Sequence, residues 1–192
     1  MKLTVGNDTV ASTPGNIEIS RNKYLDYKRL NGISRFVYSL LLSLPEKLLF
    51  KVFGSRTIVY DFIQKREQFR YGCLNPTVVL DKEEGLIATF TDLTHSGNGI
   101  TPVIKISKEP LHLIRNTSIE NGQRLPTVSL YSGLSEQYPS AWADFLPKIA
   151  NCFTDDTAAC NQLLKRGSEN GWSCLELGLK QIDAPGQTGL YH

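Results

Sequence analysis

Thr77-Val78-Val79-Leu80, then Glu84-Gly85, then Leu86-Ile87-Ala88-Thr89-Phe90-Thr91 is the stretch on which the architecture of this chain turns. Apolar and polar residues exchange over a period near two, the repeat of a strand with one buried face. Glu84-Gly85 supplies a tight turn between the two runs. A β-hairpin is therefore expected here. Further strands are predicted at Val103 to Ile106 and Thr127 to Tyr131, and a fifth could run from Gln68 to Cys73. Three of them begin directly after Pro76, Pro102 and Pro126, where a missing N–H does little harm to a ladder. Pro76-Thr77-Val78-Val79-Leu80 and Pro126-Thr127-Val128-Ser129-Leu130 share a pattern, read as similar strands entering one sheet rather than as a repeat.

Outside this middle the period lengthens. Residues 1–20 form a leader in which Leu3 and Val5, or Ile17 and Ile19, could make a short edge strand. Residues 22–68 read as a helical arm. Phe36, Val37, Leu40, Leu41, Leu44, Leu48, Leu49, Val52 and Phe53 recur at helical spacing, divided by Pro45 into two helices, and a third helix is expected over about 57–67. Residues 135–182 return to helical spacing. Trp142, Phe145, Ile149 and Cys152 share one stripe, a helix is expected over about 156–166 with Thr154 or Asp155 as its cap, and another over about 169–182. The tail 183–192 is turn-rich and expected to fray. Strands in the middle and helices at both ends predict an α+β fold in a single domain over 1–192. Its small antiparallel sheet or barrel spans a β unit at 69–131 and is packed by helices from the two ends.

Net charge is +2, too small for a general nucleic-acid binder. The charge is unevenly spread, however: residues 1–70 carry 12 Lys/Arg against 6 Asp/Glu. The longest largely apolar run, Phe36 to Leu44, is about half of the roughly 20 residues that cross a membrane, so no transmembrane segment is expected. The first twenty residues lack an apolar core, so Cys73, Cys152, Cys160 and Cys174 are expected as free thiols of a cytoplasmic protein.

No strong catalytic motif emerges. The cysteines lack the close pairs of a structural zinc site and the three histidines are remote, so no metal or cofactor is expected. Asp92, His95 and Ser96 lie within one loop and have the chemistry of a nucleophile with its base, but triads converge from separate segments. The following Gly97-Asn98-Gly99 lacks the lysine of a phosphate loop. Glu83-Glu84 and Asp155-Asp156 fall at a turn and a helix start, where carboxylates serve structure. Phe69, Arg70, Tyr71, Phe90, Lys105 and Lys108 would be the contacts of a single-stranded nucleic-acid surface, a partner that the charge balance argues against.

The stretch Phe69 to Tyr131, with Gly72-Cys73-Leu74-Asn75-Pro76, Leu86-Ile87-Ala88, Thr91-Asp92-Leu93, Gly122 and Leu125-Pro126, together with Trp142 and Phe145-Leu146-Pro147, resembles bacterial hypothetical proteins grouped as a domain of unknown function. The resemblance implies a bacterial protein and carries no activity, cofactor or site residue with it. The sequence therefore favours a non-enzymatic binding or protein-interaction module, docking a protein partner or a second copy through the Phe36 to Phe53 helical face. A small hydrolase using Asp92 and His95, and single-stranded nucleic-acid binding on the β unit, are the alternatives.

Overall fold

The computed structural model describes residues 11, 13–44, 58–96, 100–115, 117–138, 140–183 and 185–192. The chain runs α1 (Arg21–Tyr27), α2 (Gly32–Leu41), α3 (Ile58–Tyr71), β1 (Cys73–Asp81), β2 (Leu86–Asp92), β3 (Pro102–Lys108), β4 (Arg124–Leu134), β5 (Trp142–Ile149), α4 (Thr157–Arg166), α5 (Glu169–Leu179) and β6 (Gly189–Tyr191). The six strands form one antiparallel sheet in the order β5-β4-β1-β2-β3-β6. The fold is α+β, with helices flanking a half-barrel.

The sheet curls toward the face bearing Thr77, Thr89 and Thr91. Val103 of β3 packs with Tyr131 and Phe145, although two strands lie between β3 and β4. Residues cannot meet across that span on a flat or convex face. At one end the curl nearly closes: Thr94, just past β2, bridges Ala141, just before β5. The Trp142 N–H donates to the Leu93 carbonyl (2.8 Å) and the His95 N–H to that of Ser140 (2.8 Å). Lys105 then reaches from β3 to the Asp144 carboxylate and the Phe145 carbonyl of β5, each at 2.8 Å. The concave face holds a polar layer. Asn75 donates to Thr91 (2.8 Å), Thr91 meets the Tyr131 hydroxyl, and Thr77 lies 2.9 Å from Thr89.

Apolar layers sit on either side of this one. Val79, Ile87, Leu125 and Ile149 meet Leu111, Leu113, Cys152, Phe153 and the helices α1 and α3 in the largest core cluster. On the convex side, Trp172 and Leu175 of α5 cover Leu86, Ala88, Ile104 and Ile106.

Four predicted strands fall inside β1 to β4, and the turn at Glu84-Gly85 joins β1 to β2. Gly85 has φ +67°, and a Cβ there would lie 2.4 Å from the Glu109 carbonyl oxygen, so the turn needs glycine for both conformation and space. Helices expected near 57–67, 156–166 and 169–182 appear as α3, α4 and α5, with Asp156 rather than its neighbours capping α4.

Other expectations are corrected. Gln68 to Tyr71 end α3 instead of forming a strand, because Val59, Phe62, Ile63 and Phe69 bury at helical spacing. Ile17 and Ile19 are both buried, in extended coil running beside the end of α3. Trp142 to Cys152 is not helical: it is β5 followed by a 3-10 turn. Pro147 belongs there because β5 is an edge strand, where a missing donor costs no ladder bond. The tail does not fray throughout, since Gly189–Tyr191 pairs with β3. The helix expected from Pro45 to Gly54 lies outside the described residues.

One ion pair ties these layers together. Lys148 Nζ of β5 sits 2.6 Å from Glu109 Oε1, on the loop after β3, with side-chain exposures of 20% and 4%. Tyr27 of α1 donates to the other carboxylate oxygen (3.4 Å), and Lys148 lies over its ring. Burial pushes the Glu109 carboxyl up despite Lys148. For Lys148, burial is the largest single effect and lowers it, but Glu109 and Tyr27 together, by charge and hydrogen bonding, hold the ammonium above its usual range. The short contact and the tyrosine donor favour the charged pair at neutral pH. Removing one member strands the other in the interior, so Lys148→Ala should cost about 3 kcal/mol by urea unfolding. Adding Glu109→Gln to that variant should restore part of the loss.

Candidate interaction surface

The chain leaves its core at α1 and α2. Ser20 caps α1 by accepting from the Lys23 N–H, and Tyr24 and Leu25 are fully buried. Polar contacts fix this short helix. Lys23 Nζ lies 3.2 Å from the Leu113 carbonyl, 3.3 Å from that of Asn151 and 3.1 Å from the Asp155 carboxylate. The Tyr24 hydroxyl sits 2.7 Å from Asp61 and 2.8 Å from the Ile58 carbonyl, and Lys28 pairs with Asp61 at 2.8 Å. The helix ends in a Schellman pattern: the Leu30 N–H donates to Leu25 and that of Arg29 to Asp26. Arg29 holds the left-handed position, φ +54°, where glycine is usual.

That turn sends α2 across the surface. No residue of α2 is buried. Arg35 pairs with Asp26, which also meets Arg115 at 3.3 Å, and these contacts help hold the helix against α1. Its outer stripe is apolar: Ile33, Phe36, Val37 and Leu40 are exposed by 83%, 72%, 44% and 60%, and Leu44, just past the helix, by 37%. The spacing is that of one helical face, and that face points to solvent. A cleft of about 610 Å³ runs beside it, with Ser20, Arg21, Asn22 and Ile19 on one wall and Phe36, Ser39, Leu40 and Ser43 on the other. The part of the predicted stripe beyond Leu44 lies outside the described residues.

The other predicted sites have different surroundings. Asp92 is exposed, and its carboxylate accepts from the Thr94 N–H and hydroxyl and the Thr101 N–H at 2.7–2.9 Å. His95 lies against Trp142 with ring centroids 5.5 Å apart and planes tilted by 56°, and Ser96 is exposed. Asp92 thus pins its own loop through Thr94 and Thr101 rather than orienting His95. Gly97 to Gly99 lie outside the described residues.

Of the nucleic-acid candidates, Phe69 is in the core, Phe90 packs toward α5, Lys105 pairs with Asp144, Lys108 with Glu84, and Arg70 with Glu18. Tyr71 is the last residue of α3. Glu83 and Glu84 line a second cleft, of about 430 Å³, together with Tyr27, Arg29, Lys82, Lys108, Glu109 and His112. Several of its charges are already matched, by Lys82 with Glu120, Lys108 with Glu84 and Glu109 with Lys148.

All four cysteines are free thiols. Burial pushes the Cys152 and Cys160 thiols up to about 12. Among the described residues no group of three His, Cys, Asp or Glu could hold a metal ion, and no helix is long and apolar enough to cross a membrane.

The molecule so described is an α+β protein with a curled six-stranded sheet and an outward-facing apolar helix ahead of it. It belongs to the family described as Protein of unknown function (DUF3239), which matches residues 62–183. α1 and α2 precede the matched segment. No curated protein matches the chain. Among solved structures it is similar to the crystal structure of a "putative membrane protein" from Corynebacterium diphtheriae, at 14% identity and a TM-score of 0.52, over 62% of this chain and 98% of that one. At that identity the likeness concerns the fold.

Two outcomes are expected from this geometry. Burial opposes ionisation of Asp61, but hydrogen bonds from Lys28 and Tyr24 prevail and hold its carboxyl below the ordinary 3.8. Its stabilising effect is present above that value and is lost as pH falls through the lowered one. Asp61→Asn should therefore flatten the acid side of a stability–pH curve below about pH 4. At about pH 8 a thiol reagent should modify exposed Cys174 in the folded protein, and reach Cys152 and Cys160 only after unfolding.

Proposed function

We propose that the protein is a non-enzymatic binding module that docks through α2. The observation that carries this reading is the stripe Ile33, Phe36, Val37 and Leu40, continued by Leu44, held facing solvent on a helix that contributes no buried residue. Contiguous apolar surface of that kind is costly to leave in water and commonly marks an interaction site. The neighbouring cleft gives the partner polar as well as apolar walls. A cytoplasmic setting fits the four free thiols, two of them buried where oxidation would disturb the core. The hydrolase reading through Asp92, His95 and Ser96 carries less weight, because the Asp92 carboxylate already serves the backbone of its loop.

The double substitution Phe36→Asp/Leu40→Asp tests the proposal. Thermal unfolding should be nearly unchanged, since both side chains are exposed. In host extracts, the wild-type protein should sediment with larger material and the variant should move to the free pool. A loss of about 2 kcal/mol or more would instead mark these residues as core. Identical sedimentation of both proteins as free monomers would also defeat the docking role.

A further inference from the structure

We infer that the partner of α2 is an anionic lipid surface, on which the helix lies with its axis in the plane of the membrane. The inference rests on the docking reading above and adds the chemistry of the partner.

The shape of the surface supports this. The exposed stripe is a ridge along α2 from Ile33 to Leu40, about 10 Å long at roughly 1.5 Å per residue, with Leu44 just beyond the helix end. Its described residues form a narrow convex ridge rather than the broad patch of roughly 800 Å² per partner in a stable protein interface. A lipid surface has no such threshold, because it moulds to a ridge and accepts aliphatic and phenyl side chains at the acyl boundary. α2 is 10 residues long, about half of what a span takes, so its apolar face would meet lipid with the helix lying flat.

Charge supports it independently. Between Asp26 and Glu46 the sequence has no carboxylate, while Lys28, Arg29 and Arg35 fall in that interval. The Asp26 carboxylate is held by Arg35 and Arg115, which limits the negative charge presented beside the stripe. Lys28 and Arg35 are matched within the fold by Asp61 and Asp26, so Arg21 in the cleft and Arg29 at the turn before α2 are the described cations that would meet the negative potential of a bilayer carrying anionic lipids.

The cleft completes the match. Arg21, Asn22 and the hydroxyls of Ser20, Ser39 and Ser43 share it with Ile19, Phe36 and Leu40. A phosphate headgroup would meet the polar residues while the first acyl carbons met the apolar ones.

The test is sedimentation of the 192-residue chain with phosphatidylcholine vesicles, with and without phosphatidylglycerol. The wild-type protein should bind the anionic vesicles at least about tenfold more tightly than the neutral ones, less so as salt rises. Phe36→Asp/Leu40→Asp should abolish binding. Arg21→Gln/Arg29→Gln should remove the anionic preference while thermal unfolding shows the fold intact. Equal binding to both vesicle types, or none, would overturn the inference. If the protein binds no vesicle but self-associates through a contact that Phe36→Asp/Leu40→Asp breaks, the occupant is a second copy: the lipid assignment fails and the docking reading survives.

Discussion

The Glu109–Lys148 pair is the contact on which the arrangement of layers depends. It joins the loop after β3 to β5, strands at opposite sides of the curl, and brings Tyr27 of α1 onto both partners. A charged pair this deep is tolerated only with close geometry and further donors, and the tyrosine supplies one. Gly85 belongs to the same device: its carbonyl accepts from the Glu109 N–H at 2.8 Å, and the absence of a side chain lets the hairpin approach. Hairpin turn, ion pair and first helix thus form one continuous polar seam beside the largest apolar cluster.

That seam explains why α1 and α2, neighbours along the chain, behave so differently. α1 is anchored through Lys23, Tyr24, Tyr27 and Lys28, each reaching a group far along the chain. Once it is fixed, the left-handed Arg29 sets the direction in which the chain leaves. α2 retains only its inner residues for packing, and its most apolar stripe faces outward. A helix of this composition would be expected to cover the sheet. Here the sheet is already covered, by α1, α3 and the 3-10 turns Leu111–Leu113 and Ala150–Cys152 at one end of the curl and by α5 on the convex side.

The curled sheet itself is built with polar groups inside. Asn75, Thr77, Thr89, Thr91, Thr127 and Ser129 are all buried, in a layer between two apolar ones. Threonine suits this role, because its β-branched chain fits a pleated surface, and the hydroxyls of Thr77, Thr89 and Thr91 find neighbours across the strands, whereas those of Thr127 and Ser129 do not. Lys105 crosses the same interior to reach β5, so closure of the half-barrel relies on charge and hydrogen bonds as much as on apolar contact.

The sequence alone determined β1 to β4, their hairpin and the helices α3 to α5, because alternation, turn residues and caps are local signals. It also showed a long apolar stripe and a basic first third. Trp142 to Cys152 was misread, since spacings of three and four mimic a helix and only pairing with β4 makes an edge strand. The tail was misread for a similar reason: Gly189–Tyr191 becomes a strand because β3 offers it an edge. The direction in which α2 faces was equally invisible, since amphipathic spacing says that a face exists and not what meets it. Glu109 and Lys148 carried no signal, being 39 residues apart and ordinary in composition. Those features were decided by tertiary structure, because each depends on which distant groups occupy the space beside it.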